Sequence, residues 1–570
     1  MKFDEKLNGL LWRRRAMRRL WRPGAQPEEH FLPPIRVPDP TGGELDHPGP
    51  GFEYRDGIVD FSGWIAFGSG SPVSRVEGFL DDTPLGRART GLPRADVEEH
   101  KEMPMAHLSG FSHAVDVQTL PEKQRSGAGE LRVIGTAIDG ERFEIGPIPT
   151  FIRPIESEPP TASDVIPTPL RTHSSPADGL RVLVFTHQLT LGGAQLYLMD
   201  VLRELRRHKV ELTVVSLVDG PLRDELDELG IPVHLTSMAT LERLGPHLGR
   251  VGELAAWAEG GDFDAVFVNT ATSGASFGGE VAGALGLPAV WAIHESFPPA
   301  ILWADLRPAV RERTEAALGE AAFAVFEADA TSRIFEPLVA PERRLTLPYG
   351  VDLGPIEKER RNLDVEAARR EAGISTDETV VLCVGTVESR KAQTQLAQAF
   401  ALIADDHADA RLVFVGGRKG NPFTGDLEAV IADSPVGDRI DLIPVTPDVQ
   451  TWYGIADILV CASDVESLPR TVLEAMLWGT PVLATSVFGI PELIDDGVNG
   501  WLCEPRDLLA LADGLDRALS ADPTERTAIA AAAKSLVEER HDLPRYGDRV
   551  LGLLRDAVTA GPNRTAAPDR

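Results

Sequence analysis

From Leu180 onward the chain is written as short apolar runs, each followed by a stretch with helical spacing. RVLVFT, ELTVVSL, DAVFVN, AVWAIH and FAVFEA fill the part up to Asp329, and VVLCVG, RLVFVG, RIDLIPV, DILVCAS and TPVLAT form a second series from Val380. Runs that are apolar at consecutive positions read as strands covered on both faces, and alternation with helices makes them parallel. The pattern predicts an α/β architecture of two doubly wound domains, 180–355 and 356–535, joined just after LPYGVDL and facing a cleft. In such sheets ligands sit outside the carboxyl ends of the strands.

The remainder is different in texture. Residues 51–154 show alternating runs (GIVDFSGWIAF, VSRVEGFLDD, GFSHAVDV and ELRVIGTAIDGERFEIG) with Asp-Gly turns, which predicts an all-β accessory sandwich of immunoglobulin-like size. Its Trp64 and Phe111 are read as core aromatics rather than sugar-stacking platforms. Residues 155–179 are rich in Pro, Ser and Thr and read as a linker. Residues 1–50 precede the sandwich, with arginines and apolar residues interleaved over 1–24. Two readings of that segment stay open, a basic amphipathic helix on an anionic membrane surface or a basic tail. Residues 536–570 are expected to form a helix packing back on the first α/β domain, followed by a tail.

Composition excludes some functions. A net charge of -30 argues against a broad nucleic-acid surface. Cys383, Cys461 and Cys503 are widely spaced and read as reduced core residues, not as a disulfide framework or a thiolate metal site. No apolar run approaches the roughly 18 residues needed to span a bilayer, and the N-terminus has no long apolar signal core. A cytoplasmic protein is the expectation, with peripheral attachment at the inner face of the cell membrane if residues 1–24 bind lipid.

The residues after the strands carry the candidate chemistry. Gly192 and Gly193 open a helix with an apolar face through Ala194, Leu198, Val201 and Leu205, where backbone amides and the helix dipole suit a phosphate; a tight turn is the plainer reading. His294 can donate to a hydroxyl, transfer a proton or serve as a structural polar group. Arg390 and Lys391 can neutralise a diphosphate or be a solvated surface pair. Amides around Phe488, Gly489 and Ile490, before a helix expected near Glu492, can bind an oxygen-rich group or only make a turn. In DVESLPRTVLEAM, Pro469 suits a helix first turn and Ser467 an N-cap, so Glu466 ends a loop and Glu474 lies on the second helical turn. The two carboxylates then touch different parts of one elongated ligand.

The ordered set GGAQ, AIHES, LPYGVDL, VGTVESRKAQ, WYGIADILVCASDVESLP and EAMLWGTPVLATSVFGIPELIDDGVNG resembles the retaining glycosyltransferases of family 4, with the GT-B fold. The resemblance covers residues 180–560 and is densest in the second domain. It implies transfer of a sugar from a nucleotide diphosphate sugar to a glycan or lipid-linked acceptor, with no metal and no cofactor beyond that co-substrate. By the same resemblance Glu466 lies beside the donor sugar and Glu474 binds the ribose. Arg390 and Lys391 hold the diphosphate, with Ser467 and Leu468 near it. Phe488, Gly489 and Ile490 present amides to the sugar, Gly192 and Gly193 face the diphosphate, and His294 contacts the sugar near the reacting carbon. Thr386, Ala392 and Gln195 depart from the family's usual Arg, Gly and Glu. A nucleotide-sugar epimerase or phosphorylase of the same fold, or a non-catalytic glycan or membrane tether, are the competing readings.

Overall fold

The structure, a computed structural model, describes residues 41–153 apart from 55–56, 93, 95–96 and 98–107, and then 179–237 and 244–560. The basic segment 1–24, nearly all of the linker 155–179 and the tail after residue 560 lie outside the described residues.

The N-terminal region folds as β structure. Strands β1 (Gly42–His47), β2 (Phe52–Tyr54), β3 (Ile58–Ala66), β4 (Val73–Leu80), β5 (Thr83–Leu92), β6 (Gly110–Asp116), β7 (Gly127–Ala137) and β8 (Arg142–Ile152) form one hydrogen-bonded sheet in the order β1-β3-β6-β5-β4-β7-β8-β2. Strand β5 pairs with β4 and with β6, so the sheet turns through it and its two halves share one core, including Val59, Phe61, Val76, Leu80, Leu131 and Val133. Trp64 and Phe111 are buried. The domain starts earlier than residue 51, because β1 pairs antiparallel with β3; at Gly43 a Cβ would come within 2.9 Å of Ile65 and Phe143.

Two parallel sheets follow. In the first lobe, β9 (Arg181–Thr186), β10 (Glu211–Ser216), β11 (Val233–Leu235), β12 (Ala265–Asn269), β13 (Ala289–Ile293), β14 (Phe323–Phe326) and β15 (Arg344–Thr346) run in the order β11-β10-β9-β12-β13-β14-β15. In the second, β16 (Thr379–Val384), β17 (Ala410–Gly417), β18 (Ile440–Pro444), β19 (Ile458–Cys461), β20 (Val482–Thr485) and β21 (Trp501–Cys503) run β18-β17-β16-β19-β20-β21. Both orders reverse next to the first strand of the lobe. The reversal opens a crevice beyond β9 and β12 in one lobe and beyond β16 and β19 in the other. Cys383, Cys461 and Cys503 are buried and unpaired in the second lobe.

The chain crosses between the lobes twice at one point. Val351 bridges Asp542, and a Cβ on Gly350 would lie 2.5 Å from the Leu543 Cα, so the two segments touch backbone to backbone. Helix Pro523–Arg540 stays on the second lobe against helix Arg470–Trp478, and only after His541 does helix Leu543–Ala560 pack on helix Gly193–Arg207. The return to the first lobe therefore begins at 541–542, not at 536. Buried His541 fixes the break by donating from Nδ1 to the Tyr349 carbonyl at 2.8 Å.

Candidate active site

Beyond β16 the chain passes Gly385, at φ +144, and makes one tight turn, Ser389–Lys391, before helix Gln393–Ile403. The residue at the start of that helix, Ala392, is held at φ +53, a left-handed conformation that glycine adopts more easily. The turn aims Arg390 and Lys391 at the loop that follows β19. There Glu466 accepts from Lys391 Nζ, lies 3.5 Å from Arg390 Nη1 and accepts from Ser463 Oγ at 2.8 Å. Burial alone would raise the Glu466 pKa, but the two cations outweigh it and the net shift is downward. Glu466 is thus a carboxylate, and Arg390, Lys391 and Glu466 form one compact charged group at the reversal point of the second lobe.

Helix Arg470–Trp478 begins differently from the expectation. Pro469 occupies the cap position without a side-chain cap, and the Ser467 hydroxyl is spent elsewhere, sharing a hydrogen bond with Thr331 Oγ1 of the first lobe at 3.1 Å. Leu468 beside it is buried. Glu474 lies on the second helical turn and accepts from Arg470 Nε at 2.8 Å, while Arg470 Nη1 reaches Asp200 of the first lobe at 2.5 Å. Its four-residue spacing from Arg470 makes that pairing local.

The turn at Phe488–Ile490 is also partly committed. Phe488 sits at φ +43, and the short helix starts at Ile490, two residues before Glu492. The Ile490 amide donates to the Val487 carbonyl at 3.0 Å, so it is engaged within the turn. Gly489 is a contact point between the lobes, since a Cβ there would lie 2.1 Å from the Ser467 carbonyl oxygen and 2.5 Å from Ala328 Cβ. Glu492 then accepts from the Asp329 and Ala330 amides at 2.8 and 2.7 Å, again across the cleft.

In the first lobe, Gly192 caps helix Gly193–Arg207 in extended conformation. A Cβ on Gly193 would meet nothing within 4 Å, whereas one on Gly192 would lie 2.5 Å from Gln195 Oε1, and Arg418 of the second lobe donates to the Leu191 carbonyl at 3.2 Å. Leu198, Val201 and Leu205 are buried as expected of the apolar face, while Ala194 is only half-buried. His294, beyond β13, donates from Nδ1 to Glu327 at 2.6 Å, and its Nε2 lies 3.0 Å from Asn269 Oδ1. The Asn269 amide nitrogen is fixed by donating to the Ala194 carbonyl at 3.1 Å, which turns its oxygen toward the imidazole. Burial opposes charge on His294, but Glu327 overrides it and the pKa is raised. Both ring nitrogens are engaged, so in this structure His294 is held by its two partners rather than open to proton transfer. Neighbouring His187 behaves oppositely, its pKa lowered to about 4 by burial and by His294.

Sequence reasoning missed Asn269, Glu327, Thr331, Asp200 and Arg470. The first two follow directly on AVFV and FAVF, so reading every strand end, not only the motif-bearing ones, would have found them. Arg470 stands four residues before Glu474, a spacing that pairs them on one helix face, while Thr331 and Asp200 lie across the cleft and nothing in the linear sequence pairs them with Ser467 and Arg470.

Two family models match this chain, a glycosyl transferase 4-like domain over residues 192–350 and the group 1 glycosyl transferases over 364–535. The chain is 29% identical over 402 residues to a D-inositol 3-phosphate glycosyltransferase of Catenulispora acidiphila, spanning 65% of this chain and 93% of that protein. It is 29% identical over 196 residues to the N-acetyl-alpha-D-glucosaminyl L-malate synthase of Bacillus anthracis, spanning 34% of this chain and 50% of that one. Among solved structures, Anabaena HepE in complex with UDP and glucose superposes with a TM-score of 0.56 at 20% identity, over 66% of this chain and 100% of HepE. WaaG, described as a glycosyltransferase involved in lipopolysaccharide biosynthesis, gives 0.51 at 20% identity over 67% and 100%. The two family models leave the β domain uncovered.

Proposed function

We propose that this chain, which belongs to the GT-B glycosyltransferases, moves a sugar from a nucleoside diphosphate to an acceptor hydroxyl with retention at the anomeric carbon. The observation that carries the reading is the group formed by Arg390, Lys391 and Glu466 at the crevice of the second lobe. When a diphosphate takes over Lys391 and Arg390, their pull on Glu466 is relieved and its carboxylate is left beside the donor sugar. Negative charge then growing on the leaving diphosphate meets two fixed cations and the amides of the glycine loop. The leaving phosphate oxygen takes the acceptor proton on the same face of the sugar, and Glu466 steadies the developing positive charge without forming a bond to it. Glu474 serves the ribose with one carboxylate oxygen while Arg470 holds the other side of the group. No metal is called for in this scheme, because the side-chain cations neutralise the diphosphate.

His294 contributes as a fixed imidazolium on the first-lobe wall, held by Glu327. The Phe488-Gly489 turn faces the sugar with its remaining amides. The acceptor is a glycan or lipid-linked sugar of cell-envelope polysaccharide or glycolipid synthesis, handled in the cytoplasm, with residues 1–24 as a peripheral contact to the inner membrane face. Among the described residues no helix is long and apolar enough to cross a membrane. The shared core of its two halves supports an immunoglobulin-like sandwich for the β domain.

A screen of nucleoside diphosphate sugars for slow donor hydrolysis, followed by two substitutions, tests the reading. Glu474→Ala is expected to weaken nucleoside diphosphate binding about tenfold. Glu466→Ala is expected to lower turnover about 100-fold or more at nearly unchanged affinity. Equal, small effects would refute the division of roles, and epimerised donor in the absence of acceptor would overturn the transferase reading.

A further inference from the structure

Strand β5 brings a side chain of the accessory domain to the back of both donor loops. At Gly86, φ +104, Leu85 is left unpaired opposite β4, and this bulge shifts the alternation by one residue. Leu85 and Ala88 stay in the β core, and Arg87 and Arg89 turn outward against the second lobe. Arg89 Nε donates to Asp464 Oδ2 at 2.9 Å and Arg89 Nη1 to Ser389 Oγ at 3.0 Å. Ser389 directly precedes Arg390 and Lys391, and Asp464 lies two residues before Glu466. The Asp464 amide in turn donates to the Arg390 carbonyl at 2.7 Å. Asp464 is buried, and the second arginine within reach of it, Arg506, stands 3.8 Å away and donates to the Arg87 carbonyl at 2.7 Å. One guanidinium fork from the accessory domain thus ties the diphosphate turn to the Glu466 loop, with a planar geometry that a single ammonium cannot reproduce.

We infer that Arg89 is a positioning residue for the donor site: the β domain fixes the spacing between the Arg390-Lys391 turn and Glu466, and so tunes donor binding and turnover from outside the two-lobed core. The inference rests on the donor-site reading above. Arg89 acts through Ser389 and Asp464, both of which are backed by the loops that carry the charged group.

Arg89→Ala, Arg89→Lys and Thr90→Val in the full chain test it. Thr90 belongs to the same interface, its hydroxyl accepting from Gln395 Nε2 at 2.9 Å on helix Gln393–Ile403 rather than on the turn or loop that Arg89 joins. Each variant is titrated calorimetrically with UDP, GDP, ADP and dTDP, assayed for donor hydrolysis, and melted. Arg89→Ala is expected to weaken nucleoside diphosphate affinity about tenfold and to lower donor turnover, with Arg89→Lys restoring part of both. Thr90→Val is expected to lower the melting temperature while leaving affinity unchanged. Should Arg89→Ala fail to fold, Ser389→Ala removes one arm of the fork and is expected to reduce affinity in the same direction by a smaller factor. Affinity and turnover unchanged in Arg89→Ala or in Ser389→Ala, or an equal loss in Thr90→Val, overturns the inference. Absence of binding of all four nucleotides by the unaltered chain is a distinct result, which overturns the donor-site reading and this inference with it.

Discussion

In the second lobe two cations share Glu466, with Glu388 also 3.0 Å from Arg390 Nε, whereas in the first lobe a single imidazole, His294, is answered by the Glu327 carboxylate and the Asn269 amide oxygen. Both groups have their charge answered within the chain, and Glu466, Glu327 and Asn269 are buried. They differ in what can replace the partner. If a diphosphate binds here as proposed, it carries more negative charge than Glu466 and can take Lys391 from it, which makes the second-lobe group exchangeable. Glu327 stands directly behind His294, and its partner changes only if the first lobe itself rearranges. On the proposed donor-site reading, one lobe carries charge that is released on binding and the other charge that is fixed beforehand.

The largest effect is expected from removing the exchangeable cation. Lys391→Ala should lower donor kcat/KM by about 100- to 1,000-fold, measured by steady-state hydrolysis or transfer, because Arg390 alone remains near the phosphates. An effect under about fivefold would place the phosphates elsewhere and end the contrast between the lobes. Next is the fixed cation. The His294 pKa is raised in the folded chain, so its pairing with Glu327 stabilises fully below the ordinary histidine value of 6.5 and is lost as pH rises through the folded value. Glu327→Gln should move the His294 ring titration down, seen by NMR, and flatten the decline in unfolding midpoint above pH 6.5. An unmoved titration would mean that Glu327 is not the group that holds it. The smallest effect belongs to the hydroxyl between the lobes. Ser467→Ala should cost about 1 kcal/mol in denaturant unfolding and change donor affinity by no more than about threefold. A loss of affinity above about tenfold would return Ser467 to the donor site, as the family pattern suggests.

How far the sequence reached depended on the range of the signal. The ten apolar runs after Leu180 all became strands, because burial on both faces is written locally as consecutive apolar residues. Strands β11, β15 and β21 are three residues each, too short to carry a period. Strand β5 went unread since Pro84, Gly86 and Gly91 interrupt any alternation, and that strand supplies Arg89. At the site, the motif residues of the second lobe were legible as a set. What they bind in the folded chain was not, because Thr331, Asp200 and Arg89 come from other domains at sequence separations of 136, 270 and 375. Ser467 shows the limit well, for its position suggested a helix cap and its hydroxyl instead joins the lobes.

The last described helix, Leu543–Ala560, lies on the first lobe and brings the Tyr546 hydroxyl to 2.6 Å from that of Tyr197, 349 residues earlier. During synthesis, then, the side of helix Gly193–Arg207 around Tyr197 has His294 and Tyr349 beside it but lacks the cover of Tyr546 while the whole second lobe is being made. The first lobe is the earlier of the two to leave the ribosome and the later to finish its core. A contact of such long range is slow to form, and a chain stopped before Leu543 would hold a well-made second lobe beside a first lobe that stays open to aggregation.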